Sequence, residues 1–167
     1  TQMIPEINEL IEWLPKNIPS DQETSIVHGD FRLDNMIFDP ITHEVKAILD
    51  WELSTLGNPI ADFTYHMMSW RLPAGAKGLG MMGSDLKSLN IPSENEYAEL
   101  YYKKTGREKI DNWDFYMAYN IFRLAGIAQG IVGRVRDGTA SSSEAKNYEA
   151  FVPILGKLGW SIVEGIK

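Results

Sequence analysis

A mainly α-helical fold with a small β-hairpin insertion is what this sequence predicts, and three observations predict it. Apolar residues recur at helical spacing in long stretches at both ends of the chain. Helix-start and helix-stop residues bracket most of the segment after residue 58. The β-type segments are three, all short, and all fall between residues 25 and 51.

Taken in order, Ile7, Leu10, Ile11 and Leu14 follow Pro5 at helical spacing, and Pro15 and Pro19 end that pattern. Ser25–His28, Asn35–Asp39 and Val45–Trp51 read as strands, with Asp39-Pro40 turning the last two into a hairpin. Asn58 is placed to cap a helix that opens on Pro59 and runs to about Trp70. Residues 74–91, with Gly75, Gly78, Gly80 and Gly83, read as a mobile loop. Ser93 with Glu96 forms a capping box for a helix through Lys104 that Gly106 closes. Asp111 is placed to cap a long apolar helix from Asn112 to about Arg136, stopped by Gly138. Ser141 with Glu144 repeats the capping-box pattern before a last helix, which Pro153 is expected to kink. Gly126, Gly130 and Gly133 share one side of the long helix, where close packing against a neighbouring helix is the expected reason for them.

The chain has 167 residues, 44% of them hydrophobic, which suffices for one core and makes a single domain spanning 1–167 the expectation. A net charge of −7 gives no electrostatic footprint for nucleic acid or an anionic membrane. With no cysteine, disulfides, thiolate nucleophiles and cysteine-bound zinc are excluded, and the three histidines lack zinc-site spacing. No apolar run approaches membrane-spanning length and no signal peptide opens the sequence, so a cytoplasmic location is expected. The start on Thr1 rather than Met suggests that residues of the natural protein precede it.

The chemistry is concentrated between Ser25 and Asp62: His28-Gly29-Asp30, then Asn35, then Ile48-Leu49-Asp50-Trp51. Phosphoryl transfer from a nucleotide needs a carboxylate to take or orient a hydroxyl proton and oxygen ligands to hold magnesium on the phosphates. A hairpin joining Asn35 to Asp50 brings its open ends together beside Asp30, gathering three oxygen-bearing side chains at one rim. H-G-D-x-x-x-x-N followed by I-L-D-W resembles the aminoglycoside phosphotransferase and choline kinase family, and its spacing is that of the protein-kinase H-R-D-x-x-x-x-N loop. The run from His28 through Asn35, with Trp51 through Gly57, is similar to the kinase-like domain fused to acyl-CoA dehydrogenases and to its bacterial stand-alone relatives.

The resemblance implies the C-terminal lobe of a protein-kinase-like fold and an ATP-dependent transfer of phosphate to a hydroxyl of a small molecule. It implies Asp30 as catalytic base, Asn35 as a magnesium ligand, and Asp50 as the aspartate that bridges Mg2+ to the nucleotide phosphates. Arg32, two residues beyond the base, is expected to offset charge on the transferred phosphate. Gly29 in place of the arginine of H-R-D argues against control by activation-loop phosphorylation. His28 and Asp62 read as structural hydrogen-bonding residues, Asp62 tying down the catalytic loop; Trp51 and Glu52 fit either the acceptor side or the core. The N-terminal nucleotide lobe of the family has no counterpart in the sequence, so the isolated lobe is expected to be inactive and the missing lobe to be its partner. The alternative is a non-catalytic kinase-like binding or dimerisation module, in which the surface a missing lobe exposes favours self-association into a homodimer. A metal-dependent phosphoesterase is disfavoured for want of histidine ligands.

Overall fold

Caps and prolines in the sequence set where the helices start. The computed structural model describes residues 3–20, 23–75, 80–139 and 147–166. Helix α1 is Pro5–Trp13, α2 is Pro59–Arg71, α3 is Glu94–Thr105, α4 is Trp113–Arg136 and α5 is Tyr148–Ile166. Pro59 occupies the first turn of α2 while the Asn58 side chain accepts from the Ile60 amide at 2.8 Å. Ser93 and Glu96 cap α3 reciprocally, and Gly106 closes it at φ 70°. Helix α5 runs as one element through Pro153. The capping box expected at Ser141 and Glu144 lies outside the described residues.

The strands are β1 (Ser25–Val27), β2 (Met36–Phe38), β3 (Val45–Ile48) and β4 (Thr55–Gly57). They form two antiparallel ribbons, β1 with β4 and β2 with β3. The β2–β3 hairpin is the expected one. Its turn is set by the Asp39 carboxylate, which accepts from the Ile41 and Thr42 amides, both at 2.9 Å. Two expectations change. The third β segment ends at Ile48, and Trp51–Leu53 forms a 3-10 turn. Thr55–Gly57, too short to show alternation, is a strand because β1 is there to pair with it.

The described chain forms two compact units, one of Thr1–Asp21 with Asp114–Lys167 and one of Gln22–Trp113. In the first, Leu10, Leu14, Ala118 and Val163 make a buried cluster with Trp13, Phe115, Phe122, Trp160 and Ile162 packed on it. Helices α1 and α5 approach closely at Gly156 and Gly159. A Cβ at Gly156 would lie 3.0 Å from Ile7, and one at Gly159 would lie 2.9 Å from Leu10. Close packing was expected instead at Gly126, Gly130 and Gly133. A Cβ at any of those three meets nothing within 4 Å, and Gly126 and Gly130 are exposed. The small-residue contact exists, but α5 makes it.

The second unit holds both ribbons, α2 and α3. Arg71 grips Glu94 through Nε at 2.9 and 3.0 Å, and Trp113 donates to the same carboxylate at 2.8 Å. The described part of the loop after α2 is pinned, contrary to the mobile reading. The Met81 amide donates to Ser69 at 2.7 Å, and Pro73 bridges to Met82. Gly80 is obligatory there, because a Cβ would sit 2.0 Å from the Pro73 carbonyl oxygen.

Candidate active site

The site lies in the second unit, on the segments that join its strands. After β1 the chain turns at Gly29, whose φ is 84° and whose Cβ, if present, would lie 2.4 Å from the Leu53 carbonyl oxygen. Glycine at this position of H-G-D therefore lets the 3-10 turn at Trp51–Leu53 press against the loop. Asp62, in the first turn of α2, takes both loop amides with one carboxylate: His28 at 2.6 Å and Gly29 at 2.9 Å. That is the tie expected of Asp62.

His28 is 2% exposed, and both its ring nitrogens are used. The Asp30 amide donates to Nδ1 at 3.2 Å, and Nε2 lies 2.6 Å from the Leu49 carbonyl oxygen. Nδ1 must accept, so Nε2 carries the hydrogen and donates. One imidazole thus joins the residue of the expected base to the residue before Asp50. Trp51 packs on that imidazole, ring centroids 4.7 Å apart, with its indole N–H donating to Ile48 at 2.9 Å. It is 47% exposed, which places it on the site's rim and not in the core.

Asn35 is buried and its amide nitrogen donates twice to Asp30, to the backbone oxygen at 2.9 Å and to Oδ2 at 3.0 Å. The Asn35 backbone carbonyl accepts from the Leu49 amide at 2.8 Å, so the backbone leading into Asp50 runs beside Asn35. Asp50 is exposed and adopts a left-handed conformation, φ 61° and ψ 49°, which Asp tolerates better than most residues. Side chains 30 and 35 are therefore in contact, while 50 meets them through its backbone neighbour.

Arg32 turns to Asp34, with which it forms a close ion pair, and its Nε is sealed from solvent without a partner. Burial disfavours the guanidinium charge, but the Asp34 hydrogen bond and the charges of Asp34, Asp30 and Tyr65 hold its pKa above the ordinary value. Arg32 stays charged beside the loop.

Among the described residues no three His, Cys, Asp or Glu side chains cluster to hold a metal ion. A hard cation at this rim would rely on the Asp50 carboxylate and the Asn35 amide oxygen, the atom left over once the amide nitrogen is committed to Asp30. Two protein oxygens completed by phosphate and water is a pattern magnesium accepts, so the donor set fits.

A row of aromatic side chains continues from the loop. Phe31, next to Asp30, meets His66 with ring centroids 5.9 Å apart. His66 in turn meets Trp70 at 5.9 Å and Tyr97 at 5.6 Å. Sequence reasoning placed His66 inside a helix without assigning it a neighbour. The signal was the spacing Asp62, His66, Trp70, one turn each along α2.

Comparisons with known proteins agree with this geometry. The model of the phosphotransferase enzyme family matches residues 2–100. Acyl-CoA dehydrogenase family member 10 of Mus musculus is 45% identical over 161 residues, covering 96% of this chain and 15% of the mouse protein. Acyl-CoA dehydrogenase family member 11 of Homo sapiens is 39% identical over 160 residues, covering 95% of this chain and 20% of the human protein. A crystal structure from Ralstonia eutropha, provisionally described as an aminoglycoside phosphotransferase, superposes with a TM-score of 0.92 at 47% identity. That match covers 99% of this chain and 50% of the other, so this chain spans a fifth or less of the two curated relatives and half of the solved one. The kinase-like fold expected from the H-G-D-x-x-x-x-N motif is thereby supported, and the chain belongs to the phosphotransferase enzyme family.

Proposed function

We propose that this chain is the catalytic-loop portion of an ATP-dependent phosphotransferase that phosphorylates a hydroxyl of a small molecule, with Asp30 as base. The observation that carries the reading is the hydrogen bond from the Asn35 amide to Asp30 Oδ2 at 3.0 Å. It fixes the base's carboxylate and turns the Asn35 amide oxygen toward the role of a cation ligand.

Bound magnesium–ATP would supply the γ-phosphoryl group and the cation that screens its charge. Asp30 would receive the acceptor's hydroxyl proton as the oxygen–phosphorus bond forms and the bond to the leaving diphosphate breaks. Asn35 and Asp50 would hold the cation, and Arg32 would offset charge on the group in transit. Asp62 and His28 keep the loop in register by holding its backbone, and neither touches the reacting atoms.

Exposed apolar side chains on this unit support a further lobe over the site. Ile26 and Leu56, paired across β1 and β4, are 73% and 72% exposed, and Ile37 and Phe38 on β2 are also open. Such a surface is characteristic of a face that another part of the protein covers. The family's nucleotide lobe is that part in our reading, and the chain alone should turn over negligibly.

The test is Asp30→Asn in the full-length protein. Loss of a positioned base costs roughly a hundredfold or more in turnover, while nucleotide binding should persist. Undiminished turnover in that variant removes Asp30 as base. Failure of the wild-type protein to bind magnesium–ATP leaves the non-catalytic module as the function.

A further inference from the structure

His66 is 7% exposed, yet neither of its ring nitrogens has a hydrogen bond among the described residues, and neither is sealed from solvent. Three aromatic rings contact it: Phe31, Trp70 and Tyr97. Trp70 cannot serve it, because the indole N–H is committed to the Pro92 carbonyl at 2.8 Å. An imidazole held this way has one donor and one acceptor to offer a ligand.

Its position says which ligand. Asp62 holds the catalytic loop, and His66 follows it by one turn on the same face of α2, about 6 Å along the axis. Phe31 fills the step between His66 and Asp30. The aromatic wall that holds His66 thus begins at the residue next to Asp30. We propose that His66 is the residue that reads the acceptor, hydrogen-bonding an uncharged oxygen on the molecule whose alcohol Asp30 activates. The inference rests on the phosphotransferase reading above.

The charge of the acceptor follows from the same frame. None of the rings touching His66 carries a charge, and burial alone holds its pKa below the ordinary 6.5, which favours the neutral imidazole. An amine placed there would lose its hydration among rings, and the Asp62 carboxylate one turn away is already taken by the His28 and Gly29 amides. A carbonyl or hydroxyl on an apolar body is matched instead: rings for the carbon, one imidazole for the oxygen.

The experiment uses the full-length protein with magnesium–ATP and two acceptor probes, short-chain neutral hydroxy-esters and the polycationic kanamycin. Wild type should phosphorylate an ester in preference to kanamycin. His66→Phe keeps a ring in the frame but removes both nitrogens, and should raise the ester's KM about tenfold with the KM for ATP nearly unchanged. His66→Gln, which restores a donor and an acceptor, should recover most of that loss. In wild-type protein, which needs no substitution to fold, the His66 imidazole nitrogen resonances should shift on adding ester and not on adding kanamycin. An unchanged ester KM in His66→Phe, unmoved resonances, or preference for kanamycin each overturns the proposal. So does magnesium–ATP binding with neither probe phosphorylated. Absence of magnesium–ATP binding in wild type sinks the phosphotransferase reading itself, a separate result.

Discussion

Asp62 accepts two backbone amides on one carboxylate, and that arrangement makes it the most consequential residue for the loop's shape. Asp62→Ala leaves both amides unpartnered in a half-buried place, at a cost of about 3 kcal/mol from two lost charge-assisted bonds. Urea unfolding should show that loss, with Asp62→Asn intermediate because one acceptor oxygen remains; a variant as stable as wild type contradicts the role. At this scale the sequence was informative where side chains act on nearby backbone. The role of Asp62 was readable from the family resemblance, whose pattern continues through Asn58-Pro59 to Asp62, and the Asp39 turn from Asp-Pro. Arg32 was readable as a cation near the base, but its pairing with Asp34 was not, because two residues' spacing does not say which way a long side chain turns. The two bonds of the His28 ring were hidden for a similar reason: one partner, Leu49, is 21 residues away.

Among the elements, glycines separate the surfaces that are packed from those that are open. Gly126→Ala and Gly130→Ala on α4 meet no atom within 4 Å outside the helix, so each should stabilise by about 0.5–1 kcal/mol. Gly80→Ala, whose Cβ would fall 2.0 Å from the Pro73 carbonyl oxygen, should destabilise and loosen the strap on α2. Thermal unfolding of the three variants reads both signs. Stabilisation by Gly80→Ala, or destabilisation by both α4 changes, contradicts the packing described. Helix starts were legible because Asn58-Pro59 and Ser93-x-x-Glu96 satisfy orphan amides locally. Strand β4 was not, because three residues carry no periodicity and only β1, nearly thirty residues earlier, makes them a strand. The glycines of α4 misled for a physical reason: sequence shows that a position is small, while only the fold shows what faces it.

For the whole molecule, a pH response follows from His66, whose titration burial perturbs. Burial lowers the His66 pKa below 6.5, so the unfolded chain binds that proton more readily than the folded one. The stability this histidine permits is intact above 6.5. It begins to fall as pH drops below that value and is fully lost once pH passes below the lowered folded value. The melting temperature should therefore fall more steeply between pH 7.5 and 5 in wild type than in His66→Phe; parallel curves contradict the burial argument. No helix among the described residues is long and apolar enough to cross a membrane. The exposed apolar residues of both ribbons were not foreseeable from composition, since a strand residue reads as apolar whichever way it faces.

The arrangement at Asp30, Asn35 and Asp50 is tested most directly by calorimetric titration of full-length wild type, Asp30→Asn and Asp50→Ala with ATP, with and without magnesium. Wild type and Asp30→Asn should bind with similar affinity only when magnesium is present, and Asp50→Ala should bind at least tenfold more weakly. Equal, magnesium-independent binding by all three proteins contradicts the account.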